Sequence, residues 1–315
     1  MTKYRHQLPQ LSGGIFLSDG GLETTLIYHE GIELPHFAAF DLLRTQEGRE
    51  TLRRYYVPYI ETARRNGFGF VLDSPTWRAN PDWGRKLGYS AAALAAGNRE
   101  AISLMAELRA AHETRDFPMV VSGAIGPRGD GYIAGQVMDA ADAEAYHREQ
   151  IRVFAESGAD MVSAYTLTNV NEAVGIARAA RSLSIPVAIS FTLETDGMLP
   201  TGETLAHAIE AVDAATNGGP TYYMINCAHP THFENSLAQG GSWISRLKGL
   251  RANASRRSHA ELDAATELDA GNPDELGRQY RALRQRFPHL SVLGGCCGTD
   301  HRHVACIGAS CKKAA

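Results

Sequence analysis

Residues 203–227 read ETLAHAIEAVDAATNGGPTYYMINC. Glu203 to Thr216 is a helix-like stretch, Asn217-Gly218 supplies a left-handed C-cap, and the short apolar run Tyr222 to Cys227 follows as a strand. The same unit recurs on both sides. Upstream, Thr45 caps a helix running towards Arg65, Asn66-Gly67 ends it, and Phe68 to Asp73 is the strand; Pro58 is expected to bend or split that helix. Ser90 caps Ala91 to His112, ahead of the strand Met119 to Ala124. Ala143, His147, Ile151 and Phe154 share one helical face, Gly158 closes the helix, and Met161 to Thr166 follows. Asn171 to Leu183 precedes the strand Pro186 to Thr192. Downstream, Asn272-Pro273 opens a helix to Arg286, with the strand Leu290 to Leu293 behind it.

A first strand at Ile15 to Ser18 precedes all of these. The gap from Ala228 to Gly271 has room for a helix near Phe233 to Gln239 and a strand near Leu247 to Ala252. A last helix spans Asp300 to Cys311, and the polar stretch Arg251 to Asp269 reads as a long loop. Strands alternating with helices predict a parallel sheet covered by helices. Eight such units close most naturally into a single α/β domain over residues 1–315, a (β/α)8 TIM barrel. The alternative is an open doubly wound sheet. No Gly-x-Gly-x-x-Gly follows the first strand, which counts against its nucleotide-binding version.

The 315 residues carry 31 Lys+Arg against 35 Asp+Glu, a formal charge of −4, so no strong basic field exists to hold nucleic acid or an anionic membrane. Pro9, Gly13 and Gly14 interrupt the first twenty residues, which read as neither signal peptide nor anchor. No apolar run approaches the roughly 18 residues of a membrane helix. A cytoplasmic protein is expected.

The five cysteines are Cys227, Cys296, Cys297, Cys306 and Cys311. In an intracellular chain, metal binding or catalysis outranks bridging as the reason for a cluster. Cys227 ends one strand and Cys296-Cys297 end another with one strand between, at the barrel end where active sites lie. Gly294-Gly295 and Gly298 free the backbone to aim adjacent sulfurs the same way. Three converging thiolates make a Zn²⁺ site with one position open. Such a centre carries a net −1 charge, a poor generator of hydroxide but a good seat for a fourth, substrate sulfur. Burial of the cysteines as small hydrophobes and a vicinal Cys296–Cys297 disulfide are the competing readings. Cys306 and Cys311 are expected in the core or on the surface of the last helix, His229 as a loop histidine or one that supports a metal ligand, and His301 and His303 at a helix start.

Asp19-Gly20-Gly21 with Glu23-Thr24, Gly123 to Pro127 (GAIGP), Ser190-Phe191-Thr192, Asn226-Cys227 and Gly294 to Thr299 (GGCCGT) together resemble the homocysteine S-methyltransferase family, zinc enzymes on a TIM barrel that include betaine–homocysteine methyltransferase. The resemblance covers almost the whole chain. It implies zinc held by Cys227, Cys296 and Cys297, and substrate contacts from Asp19, Gly20, Gly21, Thr76 and Asn226, with Trp77 beside them. It further implies transfer of a methyl group from a small-molecule donor to a small-molecule thiol, homocysteine first. A zinc-held substrate thiolate is then the nucleophile, so no protein nucleophile is needed. Homo-oligomerisation is compatible with such a barrel.

One departure stands out. Where the family has a glutamate that holds the amino group of homocysteine, this chain has Tyr165, followed by Thr166. A phenol of pKa near 10 offers no ion pair at neutral pH. Another acid (Asp19, Asp73 or Glu194) replaces it, or the acceptor is another thiol or selenol, as in a divergent subfamily; weak selection for an α-amino group is expected. Trp77, Trp83 and Tyr28 could line a pocket for an onium donor. Two other functions compete: a metal-free barrel with a cysteine nucleophile and a base such as His229, and a non-catalytic zinc protein closed by His229 or Tyr165.

Overall fold

In the computed structural model, which describes residues 2–312, parallel strands close on one another in chain order. They are β1 (Phe16–Leu17), β2 (Gly69–Asp73), β3 (Met119–Ile125), β4 (Met161–Leu167), β5 (Val187–Phe191), β6 (Tyr222–Asn226), β7 (Leu247–Ala252) and β8 (Val292–Gly295). β1 pairs with both β2 and β8, which seals the barrel. A major helix follows each strand: α1 (Gln46–Asn66), α2 (Ala91–His112), α3 (Ala140–Ser157), α4 (Val170–Ser182), α5 (Leu205–Thr216), α6 (Pro230–Ala238), α7 (Pro273–Arg286) and α8 (His301–Cys311). This is the expected TIM barrel.

Local chemistry sets the helix ends. Thr45, Ser90, Thr204 and Asn272 each accept a bond from a first-turn backbone N–H, satisfying a donor with no partner inside the helix. Gly67, Gly158 and Asn217 turn left-handed (φ 72°, 94° and 53°) to close α1, α3 and α5.

Alternation along the strands sorts two cores. On β6, Tyr222 and Met224 join Phe16, Val71, Val120 and Met161 inside the barrel, while Tyr223 and Ile225 pack outward against the helices. Both faces are buried, so the strands read as nearly continuous apolar runs.

Three expectations need correction. α1 runs unbroken through Pro58, because Tyr55, Tyr56, Tyr59 and Ile60 on its inner face are all buried, and that packing outweighs one lost backbone bond. β8 lies two residues later than read, ending directly before Cys296; Gly294 and Gly295 are glycines because an added Cβ would strike Asp19 and Thr299. The stretch 251–269 is not all loop. Arg251 and Ala252 belong to β7, and Ser258 with Glu261 forms a capping box that starts a helical turn at His259–Asp263. No helix among the described residues is long and apolar enough to cross a membrane.

The end of the barrel away from the cysteines is closed by the N-terminal segment. The fully buried Asp160 carboxylate, just before β4, accepts the backbone N–H groups of Lys3 (2.7 Å), Tyr4 (2.9 Å) and Val121 (3.0 Å) and pairs with Arg109 (2.7 Å). Asp160→Ala leaves that guanidinium and those N–H groups without an acceptor. It should cost about 3–5 kcal/mol in chemical denaturation without changing metal content. A loss under about 1 kcal/mol would show that water replaces the carboxylate.

Candidate metal centre

Alternation points Asn226, at the end of β6, into the barrel, and would turn Cys227 away. Cys227 instead adopts a left-handed backbone (φ 52°), a conformation costing on the order of 1–3 kcal/mol in a non-glycine residue. That turn carries its sulfur to Cys296 and Cys297, which follow β8 and precede the left-handed Gly298 (φ 76°). The three sulfurs lie within 4.8 Å of one another. Cys227 and Cys296 are paired as a disulfide with Cα atoms 5.4 Å apart, and Cys297 is free, its sulfur 3.9 Å from that of Cys227. The pairing considered between the adjacent Cys296 and Cys297 is therefore not the one formed.

The donor set suits a soft divalent ion. Tetrahedral metal–sulfur bonds of about 2.3 Å space their sulfurs about 3.8 Å apart, close to the Cys227–Cys297 separation. Burial pushes the Cys297 thiol above its ordinary value and the nearby Glu23 adds to this, so ionising this sulfur calls for a cation.

The wall around the sulfurs was only partly foreseen. Asn226 donates to Cys296 Sγ (3.8 Å) and to Thr166 Oγ1 (2.8 Å), and accepts from the Thr166 N–H (2.8 Å) and Ser190 (2.6 Å), holding Thr166 at φ 63°. Tyr132, on the glycine-rich loop after β3, places its hydroxyl 3.2 Å from the sulfur of Cys297 and 3.7 Å from that of Cys227. Its ring rests on His259, whose Nε2 lies 2.6 Å from the Cys227 carbonyl and whose Nδ1 lies 3.2 Å from Glu194. Neither Tyr132 nor His259 sits in a motif, and only the fold brings their loops over the cysteines.

Beneath the sulfurs lies an ion network centred on Arg251, at the end of β7. Its guanidinium pairs with Asp19 (2.8 Å) and Asp73 (2.9 Å) and donates to the carbonyls of Gly295 (3.0 Å) and Gly20 (3.1 Å). Burial opposes its charge, but the carboxylates of Asp19 and Asp73 more than offset this and hold it above its ordinary value. Tyr165 donates to Asp73 (2.7 Å), and Tyr55 donates to Asp19 (2.9 Å). Burial pushes the Tyr165 phenol well above its ordinary value, with Asp73 adding to it, so it stays a neutral donor. Both carboxylates offered as substitutes for the missing glutamate are thus already engaged. The third, Glu194, faces His259 and lies outside the cavity lining.

Above this network opens a cavity of about 490 Å3, bounded by Gly20, Gly21 and the cysteines. Gly21 is small because an added Cβ would come within 2.6 Å of the Cys296 carbonyl. Thr76 does not line the cavity: fully buried, it bonds the Ala124 carbonyl (2.7 Å) and Ser74 (2.7 Å). Trp77 does, but its ring and that of Trp83 each lie 4.0 Å from the Arg78 guanidinium, so the face-to-face space between them is filled. Tyr28 is 45% exposed and borders a separate recess. The expected onium pocket is not formed by these three. Glu23, in the first turn after β1, also lines the cavity; burial pushes its carboxyl up to about 7.

The remaining candidates have structural roles. His229 caps α6, bonded to Thr231 (2.8 Å), and burial lowers it to about 4. His301 begins α8, His303 completes a capping box with Asp300, Cys306 faces Asp274, and Cys311 is core.

Replacing Arg251 by Met leaves Asp19 and Asp73 buried without a counter-charge. The variant should lose about 3–5 kcal/mol at pH 7. Burial raises the Asp73 carboxyl even beside Arg251, and a raised carboxyl is penalised above its titration, so the deficit should shrink as pH falls towards about 4. A deficit independent of pH would mean the arginine acts by packing alone.

A family model described as Homocysteine S-methyltransferase matches residues 16–311. Selenocysteine Se-methyltransferase of Brassica oleracea var. italica is 24% identical over 325 residues, covering 96% of this chain and 90% of that protein. Homocysteine S-methyltransferase 1 of Arabidopsis thaliana is 23% identical over 328 residues, covering 96% and 94%. Among solved structures, the homocysteine methyltransferase MmuM from Escherichia coli in its oxidized form superposes with a TM-score of 0.74 at 22% identity, over 94% of this chain and 95% of that one. Its metallated form gives 0.74 at 19%, over 97% and 99%. These two likenesses are of fold. The family model runs from the first residue of β1 to the last of α8, and on that match the chain belongs to the homocysteine S-methyltransferase family.

Proposed function

We propose that this chain is a zinc-dependent methyltransferase, working as one barrel unit in the cytoplasm, that moves a methyl group from a free small-molecule donor to a small thiol or selenol, homocysteine first. The observation that carries the reading is the convergence of three cysteine sulfurs at the floor of a cavity, at the C-terminal end of the strands, in a member of this family. Relatives named for homocysteine and for selenocysteine support a sulfur or selenium acceptor.

Cys227, Cys296 and Cys297 would hold the ion, which when bound lowers the pKa of an incoming thiol so that it is ionised at neutral pH. The acceptor sulfur forms its new bond to the methyl carbon in line as the donor's bond to that carbon breaks, and the donor leaves with the bonding pair. The protein's own groups supply position rather than protons. Asn226 steadies Cys296 and Thr166, Tyr132 directs a hydroxyl at two sulfurs, and the Arg251 network fixes the floor. Disulfide and metal centre are alternative states of the same sulfurs, since Cys227 and Cys296 bind metal only when reduced. The E. coli relative has likewise been crystallised in oxidized and metallated forms. A reducing cytoplasm favours the metal-binding state.

The competing readings have less support. A cysteine nucleophile needs a base at the sulfur, and among the described residues no histidine bonds a cysteine sulfur; His259 reaches only the Cys227 carbonyl. His229 and Tyr165, the proposed closing ligands of a sealed zinc site, are engaged with Thr231 and Asp73.

Protein purified under reductant should contain stoichiometric zinc by elemental analysis. Cys297→Ser should weaken zinc by more than the roughly hundredfold that even outer-shell changes reach. Tyr132→Phe, which removes only a hydroxyl, should retain it. In the cobalt-substituted protein, added homocysteine should shift the sulfur-to-metal absorption. Zinc-free reduced protein with unimpaired methyl transfer would sink the reading.

A further inference from the structure

Arg78 is the unexplained charge of the cavity. It follows β2, is 6% exposed, and lies between the indoles of Trp77 and Trp83, 4.0 Å from each ring. Neither indole takes one of its five N–H donors, which stay in the guanidinium plane for hydrogen bonding. One goes to the Gly129 carbonyl (3.1 Å), while the Nε, fully buried, has no partner. Among the described residues no carboxylate lies within ion-pair distance of it, and the exposed Asp130, on the loop after β3, acts on it only through space. A buried guanidinium without an anion is costly unless a ligand supplies one, and the planar fork matches a carboxylate.

Glu23 is its counterpart. Its carboxyl lines the same cavity, accepts from its own backbone N–H, and among the described residues has no ion pair. Arg78 and Glu23 feel each other's charge without touching, and Glu23 also acts on Cys297, so both belong to the space above the sulfurs. Asp19 and Asp73 are both paired with Arg251 already. A buried cation and a half-buried anion, neither in an ion pair, line one cavity with the sulfur ligands, while the other unpaired carboxylates there, Asp130 and Asp263, are exposed; the two match the charged ends of an α-amino acid whose side chain carries the sulfur.

Resting on the proposed function, we infer that Arg78 and Glu23 hold the head group of the acceptor, Arg78 taking the α-carboxylate and Glu23 the α-ammonium, while its thiol or selenol points to the three cysteines. Glu23 then does for this chain what Tyr165 cannot, and selection for the amino group returns through a different element. The two indoles and the Gly129 carbonyl confine the guanidinium that the carboxylate meets.

The test is the affinity of the reduced, cobalt-substituted protein, by calorimetry and absorption, for homocysteine, its decarboxylated amine, its deaminated acid and a plain alkyl thiol. Losing one charge-assisted contact should weaken binding about ten- to hundredfold. Arg78→Met should weaken homocysteine and the deaminated acid by that factor and leave the decarboxylated amine within about twofold. Glu23→Gln should weaken homocysteine and the decarboxylated amine and spare the deaminated acid. Arg78→Lys, which keeps charge but not the fork, should fall between wild type and Arg78→Met, and it carries the carboxylate arm if the methionine variant fails to fold. Equal losses across all four compounds in either variant would overturn the assignment while leaving thiol methylation intact. A wild-type protein that bound none of them with a spectral change would instead refute the function on which it rests.

Discussion

A guanidinium buried where four strand ends meet governs the mouth of this barrel. Arg251 reaches from β7 to the carboxylates of Asp19 after β1 and Asp73 at the end of β2, and to the carbonyls of Gly20 and Gly295. A charge removed from water needs both opposite charge and hydrogen bonds in good geometry. Arg251 has them only if β1, β2, β7 and β8 end at the same level. The network therefore ties the seam where the barrel closes to the floor of the cavity. It also engages Asp19, Asp73 and Tyr165, leaving Arg78 and Glu23 as the buried and half-buried charges of the cavity without an ion pair.

Backbone conformation then does what strand geometry cannot. A strand sends successive side chains to opposite faces, so Asn226 and Cys227 could not both serve one site, nor could Cys296 and Cys297. The left-handed turn at Cys227 and the glycine-flanked exit of β8 break the alternation where three sulfurs must converge. The strain at Cys227 is held by the surrounding hydrogen bonds, its N–H bonding to the Arg251 carbonyl and its own carbonyl meeting His259. Such strain at a site is the usual mark of a position needed for chemistry.

Much of this was legible in the chain. Capping residues and helical spacing located most of the helices that cover the barrel, since those signals are local, whereas α6 was placed only by the room left between Ala228 and Gly271 and begins at Pro230, behind its His229 cap. Gly-Gly-Cys-Cys-Gly with a distant Asn-Cys located the sulfurs, because glycines beside cysteines at strand ends have few other uses. Pro58 misled, because its cost is local and the packing of Tyr55, Tyr56 and Tyr59 is not. Thr76 misled by position: it stands at the right strand end but turns to the Ala124 carbonyl. Trp77 and Trp83 could be named as aromatic walls, but not as the two plates around Arg78.

What the amino-acid sequence determined by itself was the repeat of helix and strand, the polarity of the barrel and the three cysteines, for each follows from periodicity or from a residue's covalent chemistry. Only the tertiary structure decided which charges cancel. Arg251, Asp19 and Asp73 lie far apart in the chain, as do Tyr132 and Cys297 or Arg78 and Glu23. Coulomb interactions and desolvation depend on separation and burial in space, and one-dimensional order carries neither.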